Sequence, residues 1–156
     1  MRAQYHIRRA LRKDLNRILA IESASFGPEA YDCKLFAYYL AKCGDVFLVA
    51  ERRESVRAYM ITCVRGNPPS RAELISVAVD PASRESGAAS ALLEATLRRL
   101  RRRRVANLQL VVRDSNHPAQ TFYRKYGFRP TRRVPGYYEG GDGIAMTRQV
   151  NPEQKP

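Results

Sequence analysis

One stretch constrains this chain more than any other: Arg71–Leu93, RAELISVAVDPASRESGAASALL. It opens with the apolar, partly β-branched run Leu74-Ile75-Ser76-Val77-Ala78-Val79, which Asp80-Pro81 stops. A short polar loop leads to Gly87. Beyond it Ala89, Leu92, Leu93, Leu97 and Leu100 recur at helical spacing. The order is strand, tight loop, helix start. Such a loop aims several free backbone N–H groups and a helix N-terminus at one point, which suits a phosphate group. The run is nearly all apolar, so a central strand buried on both faces is expected.

The flanking sequence supplies the rest of the fold. Tyr5–Ala10 alternates weakly and reads as an edge strand, with His6 on its surface. Asp14 is a candidate cap for a helix that carries Leu15, Ile18, Leu19 and Ile21 to Phe26 and ends at Gly27-Pro28. A second helix over Cys33–Lys42 stops at Gly44. Val46–Ala50 and Val56–Val64 read as a hairpin about the charged turn Glu51–Ser55. Leu108–Arg113 is a strand with Gln109, Val111 and Arg113 on one face. Ser115 or Asn116 caps the next helix, whose one side is Ala119, Phe122, Tyr123 and Tyr126, and Gly127 ends it. Phe128–Val134 and Gly143–Arg148 are the last strands, around a loop Pro135–Gly141. The order β-α-α-β-β-β-α-β-α-β-β predicts a mixed α/β fold. Its sheet should be mostly antiparallel, with about seven strands flanked by about four helices.

The 156 residues suit a single domain over 1–150 with a polar, frayed tail over 151–156. No apolar run reaches the ~18 residues of a membrane span, so no membrane partner is expected. The basic N-terminus lacks an apolar signal core, which points to the cytoplasm. Cys33, Cys43 and Cys63 are an odd number without metal spacing; three reduced, mostly buried thiols and no metal are expected. A net charge of +13, from 28 Lys and Arg against 15 Asp and Glu, favours anionic partners: nucleic acid, a ribonucleoprotein surface or a polyphosphate cofactor. Arg98–Arg104 holds six cations at the end of a helix, where they suit the macrodipole. Nucleic acid is the less favoured reading of that cluster.

The loop Arg84-Glu85-Ser86-Gly87-Ala88-Ala89 is neither a Walker loop nor a dinucleotide fingerprint, because it lacks their glycines. Read as an ordered set, AVDP, RESGAA, ALL, LVVRDSN, FYRKYGF and GYY resemble the GNAT superfamily of acetyl-CoA-dependent N-acetyltransferases. The likeness is greatest to the ribosomal-protein-alanine N-acetyltransferases and related N-terminal acetyltransferases. It covers nearly the whole chain and is strongest from Glu73 to Phe128.

The resemblance implies acetyl-CoA as cosubstrate. Backbone N–H groups from Arg84, Glu85, Ser86, Gly87, Ala88 and Ala89 would hold its pyrophosphate, and the pantetheine arm would pair with the strand at Val77, Ala78 and Val79. Two departures stand out: an acidic Glu85, and Ala89 for the commoner glycine. Asn116 matches a residue that contacts the cofactor arm. Tyr123 matches the general acid that protonates the leaving thiolate. The usual base, the glutamate of a Leu-Glu-Val-Arg segment, is replaced: the segment reads Leu110-Val111-Val112-Arg113. Glu73, at a position where other members act through water, is the candidate substitute. Tyr137 and Tyr138 resemble an aromatic pair at the peptide entrance, and Glu139 could meet a substrate ammonium.

The expected function is acetyl transfer by direct attack in a ternary complex, to the N-terminal α-amine of a protein or peptide, ribosomal proteins included. The alternatives are transfer to a small-molecule amine, and a CoA-binding module with weakened catalysis and a basic face toward ribosome or RNA. The sequence leaves the acceptor and the oligomeric state open.

Overall fold

A computed structural model describes residues 4–66 and 70–151. Its strands are β1 (His6–Arg9), β2 (Phe47–Arg52), β3 (Ser55–Arg65), β4 (Arg71–Val79), β5 (Asn107–Arg113), β6 (Arg129–Tyr138) and β7 (Gly141–Gln149). Its α-helices are α1 (Leu15–Phe26), α2 (Cys33–Cys43), α3 (Ala88–Arg102) and α4 (His117–Lys125). The order along the chain is the one the sequence predicts. The seven strands form one sheet in the order β1-β2-β3-β4-β5-β7-β6. The β4–β5 ladder is parallel, and β1–β2, β2–β3, β5–β7 and β6–β7 are antiparallel.

The chain divides into two compact units: Met1–Cys63 with Leu74–Arg103, and Val64–Glu73 with Arg104–Pro156. In the first, period-2 alternation on β2 and β3 sends Phe47, Val49, Tyr59 and Ile61 to one face. There they pack with Leu15, Ile18 and Ile21 of α1 and Phe36 of α2. Met60 points the other way and takes a hydrogen bond at 3.5 Å from Thr96 of α3, whose Leu92, Leu93, Leu97 and Leu100 are all buried. In the second unit Leu108, Leu110 and Val112 of β5 are buried, as are Tyr123, Phe128 and Met146. Gln109, Val111 and Arg113 are left on the opposite face.

Several details differ from expectation. Asp14 does not cap α1 with its side chain. Its carboxylate instead accepts from both terminal nitrogens of Arg8, at 2.8 and 2.9 Å, and from the Leu11 N–H at 2.7 Å. Strand β4 starts at Arg71 and is not buried on both faces: Ala72, Leu74 and Ala78 are buried, while Ile75, Ser76, Val77 and Val79 are only half-buried. An apolar sequence here marks a face left open beside the core. Cys43 and Cys63 form a disulfide with Cα atoms 4.6 Å apart, because the end of α2 lies against β3; Cys33 is free and exposed. The three reduced thiols were therefore the wrong expectation. Strands β6 and β7 reach further into their hairpin than the sequence suggests, so Tyr137 and Tyr138 end a strand and do not stand in a loop. A register shift between Val134 and Tyr138 takes up the extra residues. Of the predicted tail, residues 152–156 lie outside the described residues.

Candidate active site

The loop Arg84–Ala89 is built as a cradle. Gly87 holds φ +88°, a left-handed conformation that glycine adopts without steric cost, and α3 begins at the next residue. The first intrahelical bond is Ala91 N–H to Gly87 C=O, at 3.0 Å. Helix geometry leaves the N–H groups of Ala88, Ala89 and Ser90 without intrahelical acceptors. Arg84 and Glu85 are exposed, so the departure at Glu85 puts its carboxylate at the surface and not in the cradle.

Struts fix this loop from the remainder of the first unit. The Tyr5 hydroxyl is 2.5 Å from Ser86 Oγ, and Ser86 Oγ donates to Ser83 C=O. Upstream, Arg17 pairs with Asp80 at 2.5 Å, while Asp80 N–H donates to Arg57 C=O at 2.7 Å. The half-buried residues Val77 and Val79 and the buried Ala78 run into the loop. A rigid run of backbone donors after an open strand face fits a pyrophosphate with an amide-bearing arm. Among the described residues no group of three His, Cys, Asp or Glu is set to hold a metal ion.

Behind the same strand lies a cluster that sequence reading passed over. Glu22 of α1 is 1% exposed. It accepts from the Tyr59 hydroxyl at 2.5 Å, and Ser76 Oγ of β4 lies 3.5 Å away. Burial pushes the Glu22 carboxyl up, and the donors Tyr59, Tyr31 N–H and Ser76 offset this only in part. Burial and the Glu22 charge likewise raise Tyr59. The signal was present in the sequence: Glu22 follows Ile18 by four residues, so it falls on the apolar side of α1.

The second unit carries the remaining candidates. The β4–β5 ladder runs only from Arg71↔Asn107 to Glu73↔Gln109. Glu73 therefore sits at the last parallel pair, in a polar hollow of about 410 Å³ lined by Arg65, Arg71, Ala72, Glu73 and Gln109. Its carboxylate is 3.5 Å from Arg65 Nη2. Tyr137 is exposed, and its hydroxyl is raised first by partial desolvation and then by the Glu73 charge. Its ring meets Tyr138 edge-on at 4.9 Å. The Tyr138 hydroxyl donates to Val111 C=O at 3.1 Å, and Arg113 stacks 4.6 Å over the Tyr138 ring. Tyr137, Tyr138, Glu73 and Val111 are thus gathered on one region of the unit.

Val111 fills the position where a base was sought. A Cβ built on Gly143 would run into Val111 Cγ1 and stand 3.2 Å from Tyr137 Cβ, so only glycine fits there. Tyr123 is 6% exposed, and burial, then Tyr138, raises its hydroxyl. A buried phenol held protonated can give its proton to a leaving anion. Asn116 caps α4, accepting from Ala119 N–H at 3.2 Å. Gln120, which the sequence reading did not single out, ties the helix back to Arg113 C=O and Asp114 C=O at 3.1 and 2.9 Å.

These features are those of a family. The sequence profile of the acetyltransferase (GNAT) family matches residues 10–128. The N-alpha-acetyltransferase of Saccharolobus solfataricus is 30% identical, over 94% of this chain and 93% of that protein. Among solved structures, Ard1 from Thermoplasma volcanium is similar with a TM-score of 0.90, 29% identity, and coverage of 96% of this chain and 99% of that one. The ribosomal-protein-S18-alanine N-acetyltransferase from Escherichia coli follows with a TM-score of 0.83, 27% identity and 97% coverage of each chain. The chain belongs to the GNAT acetyltransferase family. Its chemistry is acetyl-CoA-dependent N-acetyl transfer.

Proposed function

We propose that this protein acetylates the N-terminal α-amine of a protein or peptide. The observation that carries the reading is the pairing of an anion cradle at Arg84–Ala89 with an open face on β4. The names of the relatives support the choice of acceptor.

When bound, acetyl-CoA supplies a thioester whose C–S bond breaks as the C–N bond to the amine forms. N–H groups of the loop and of the first turn of α3 would hold its pyrophosphate, backbone of Val77–Val79 would pair with its amide arm, and Asn116 would contact that arm. Tyr123 keeps a proton at Oη and gives it to the departing sulfur. Glu73 takes the proton shed by the amine, through water, because Val111 cannot. Tyr137 and Tyr138 wall the first residues of the acceptor.

Weak base chemistry suffices for this substrate class. An α-amine of pKa about 8 is roughly one-tenth neutral at pH 7, whereas a lysine amine near 10.4 is neutral only about four times in ten thousand. A ribosomal protein is one acceptor of the proposed class. The cytoplasm is the proposed compartment; the Cys43–Cys63 bond weighs against it, since reducing compartments keep most thiols free.

The test is thiol release from acetyl-CoA with a panel of unblocked peptides. Turnover that disappears when the peptide N-terminus is blocked supports the reading. Tight CoA binding without turnover on any amine would instead make the chain a binding module.

A further inference from the structure

We infer that Ser76 Oγ accepts a hydrogen bond from the attacking amine of the acceptor, and that Glu22 and Tyr59 are the positioning residues that turn its lone pairs outward. The inference rests on the amine-acetylation reading above.

Between Glu73 and Asp80, Ser76 is the one polar side chain; the others are Leu74, Ile75, Val77, Ala78 and Val79. Ser76 is half-buried and so remains reachable, whereas Glu22 is sealed beneath it. Three oxygens make a closed triangle. Tyr59 Oη is 2.5 Å from Glu22 Oε1 and 3.2 Å from Ser76 Oγ, and Ser76 Oγ is 3.5 Å from Glu22 Oε1.

With Glu22 ionised, counting protons fixes the polarity of the triangle. An ionised carboxylate only accepts. Tyr59 has one hydroxyl proton and spends it on Glu22. The Tyr59–Ser76 contact can then use only the Ser76 proton, and the longer contact from Ser76 to Glu22 draws on the same one. Whichever inner partner takes it, Ser76 donates inward and keeps lone pairs for a group on its open side. A position that can only accept selects a donor. An amine N–H satisfies it; a carbonyl or carboxylate does not.

The groups that act on Glu22 are Tyr59 from β3, Ser76 from β4 and the Tyr31 N–H that follows α1. Each is a hydrogen-bond donor, and their convergence on one carboxylate is what a fixed polarity requires. An amine anchored through one N–H is restricted in orientation before attack, which is where positioning lowers a barrier. Glu73 and Ser76 therefore have separate tasks: the first receives a proton, the second holds the nitrogen.

The experiment compares wild type with Ser76→Ala, Ser76→Thr, Glu22→Gln and the Glu22→Gln/Ser76→Ala double variant. Four quantities are read: kcat/KM for an unblocked peptide, the peptide Kd in CoA-loaded protein, the acetyl-CoA Kd and Tm. Loss of one neutral hydrogen bond predicts that Ser76→Ala weakens peptide binding and lowers kcat/KM by roughly fivefold to tenfold, with the acetyl-CoA Kd unchanged. Ser76→Thr keeps the hydroxyl and restores most of the loss. Glu22→Gln lets an amide donate to Ser76, reverses the polarity and loses about as much as Ser76→Ala. In the double variant the second change adds nothing to kcat/KM, since both act through one hydrogen bond. Peptide binding and turnover unaltered in Ser76→Ala would overturn the inference while leaving α-amine acetylation standing. A Glu22→Gln loss undiminished in the Ser76→Ala background would overturn it as well. Wild-type protein inert toward every amine would remove the acetylation reading and this inference together.

Discussion

The hydroxyl of Tyr5 lies 2.5 Å from Ser86 Oγ, joining residues 81 apart in sequence. The chain just before β1 thereby braces the loop that precedes α3. Ser86 in turn donates to Ser83 C=O, so the loop is held from outside and from within. A cradle of backbone donors binds an anion well only if the donors are already in place.

Removing the brace should therefore weaken cofactor binding and little else. For Tyr5→Phe the expected result is an acetyl-CoA Kd raised by roughly threefold to tenfold, the worth of about one hydrogen bond. The peptide KM should be unchanged. Calorimetric titration with CoA measures the first, and steady-state kinetics the second.

Tyr123→Phe tests the acid. Its phenol is buried and raised, hence protonated across the neutral range. Loss of the hydroxyl should lower kcat roughly tenfold or more, with Tm nearly unchanged because the ring still packs against Phe128. An unchanged kcat would remove Tyr123 from the chemistry.

Gly143→Ala tests the aromatic wall. The new methyl group has Val111 Cγ1 and the Tyr137 ring in its way, and Tyr137 is the more exposed of the two. Displacing Tyr137 should raise the KM for the acceptor peptide while leaving the acetyl-CoA Kd alone. Peptide kinetics at saturating acetyl-CoA give the answer.

Two buried carboxylates should respond to pH in opposite directions. Glu22 is raised above 4.5 in the folded chain, chiefly by burial, so its contribution to stability is complete below that value and is lost as pH rises through the raised pKa. The Tm of wild type minus that of Glu22→Gln should fall as pH is raised. For Asp14, burial acts upward, but the Arg8 pair and the Leu11 N–H outweigh it and hold the carboxyl below 3.8. Its contribution is present above that value and lost as pH falls through the lowered pKa. Asp14→Asn should cost about 1–3 kcal/mol at pH 7 and progressively less in strong acid. Thermal melts across pH test both signs.

The order of elements was readable because each carries its own periodic signal. The alternation on β2 and β3, the leucines of α3 and the glycines at helix ends are all local properties. The loop at Arg84–Ala89 was readable for the same reason. Polar contacts between distant segments were not. Asp14 looks like a cap and pairs with Arg8, Cys43 finds Cys63, and Glu22 finds Tyr59 and Ser76. Each pairing depends on which helix face lies over which strand, and sequence spacing does not encode that. The apolar run of β4 misled in another way: hydrophobicity fits a strand buried on both faces and equally one whose open face awaits a ligand. Tyr137 and Tyr138 read as a loop in the sequence, and their place at the end of β6 depends on a bulge that the residues alone do not mark.

The central claim is acetylation of an α-amine by a site without the usual base. The most direct measurement is one reaction on a peptide that carries both a free N-terminus and an internal lysine, with the modified nitrogen located by mass spectrometry at early times. The account predicts acetyl on the N-terminal nitrogen, with the lysine left free. Equal or preferential acetylation of the lysine side chain would contradict it.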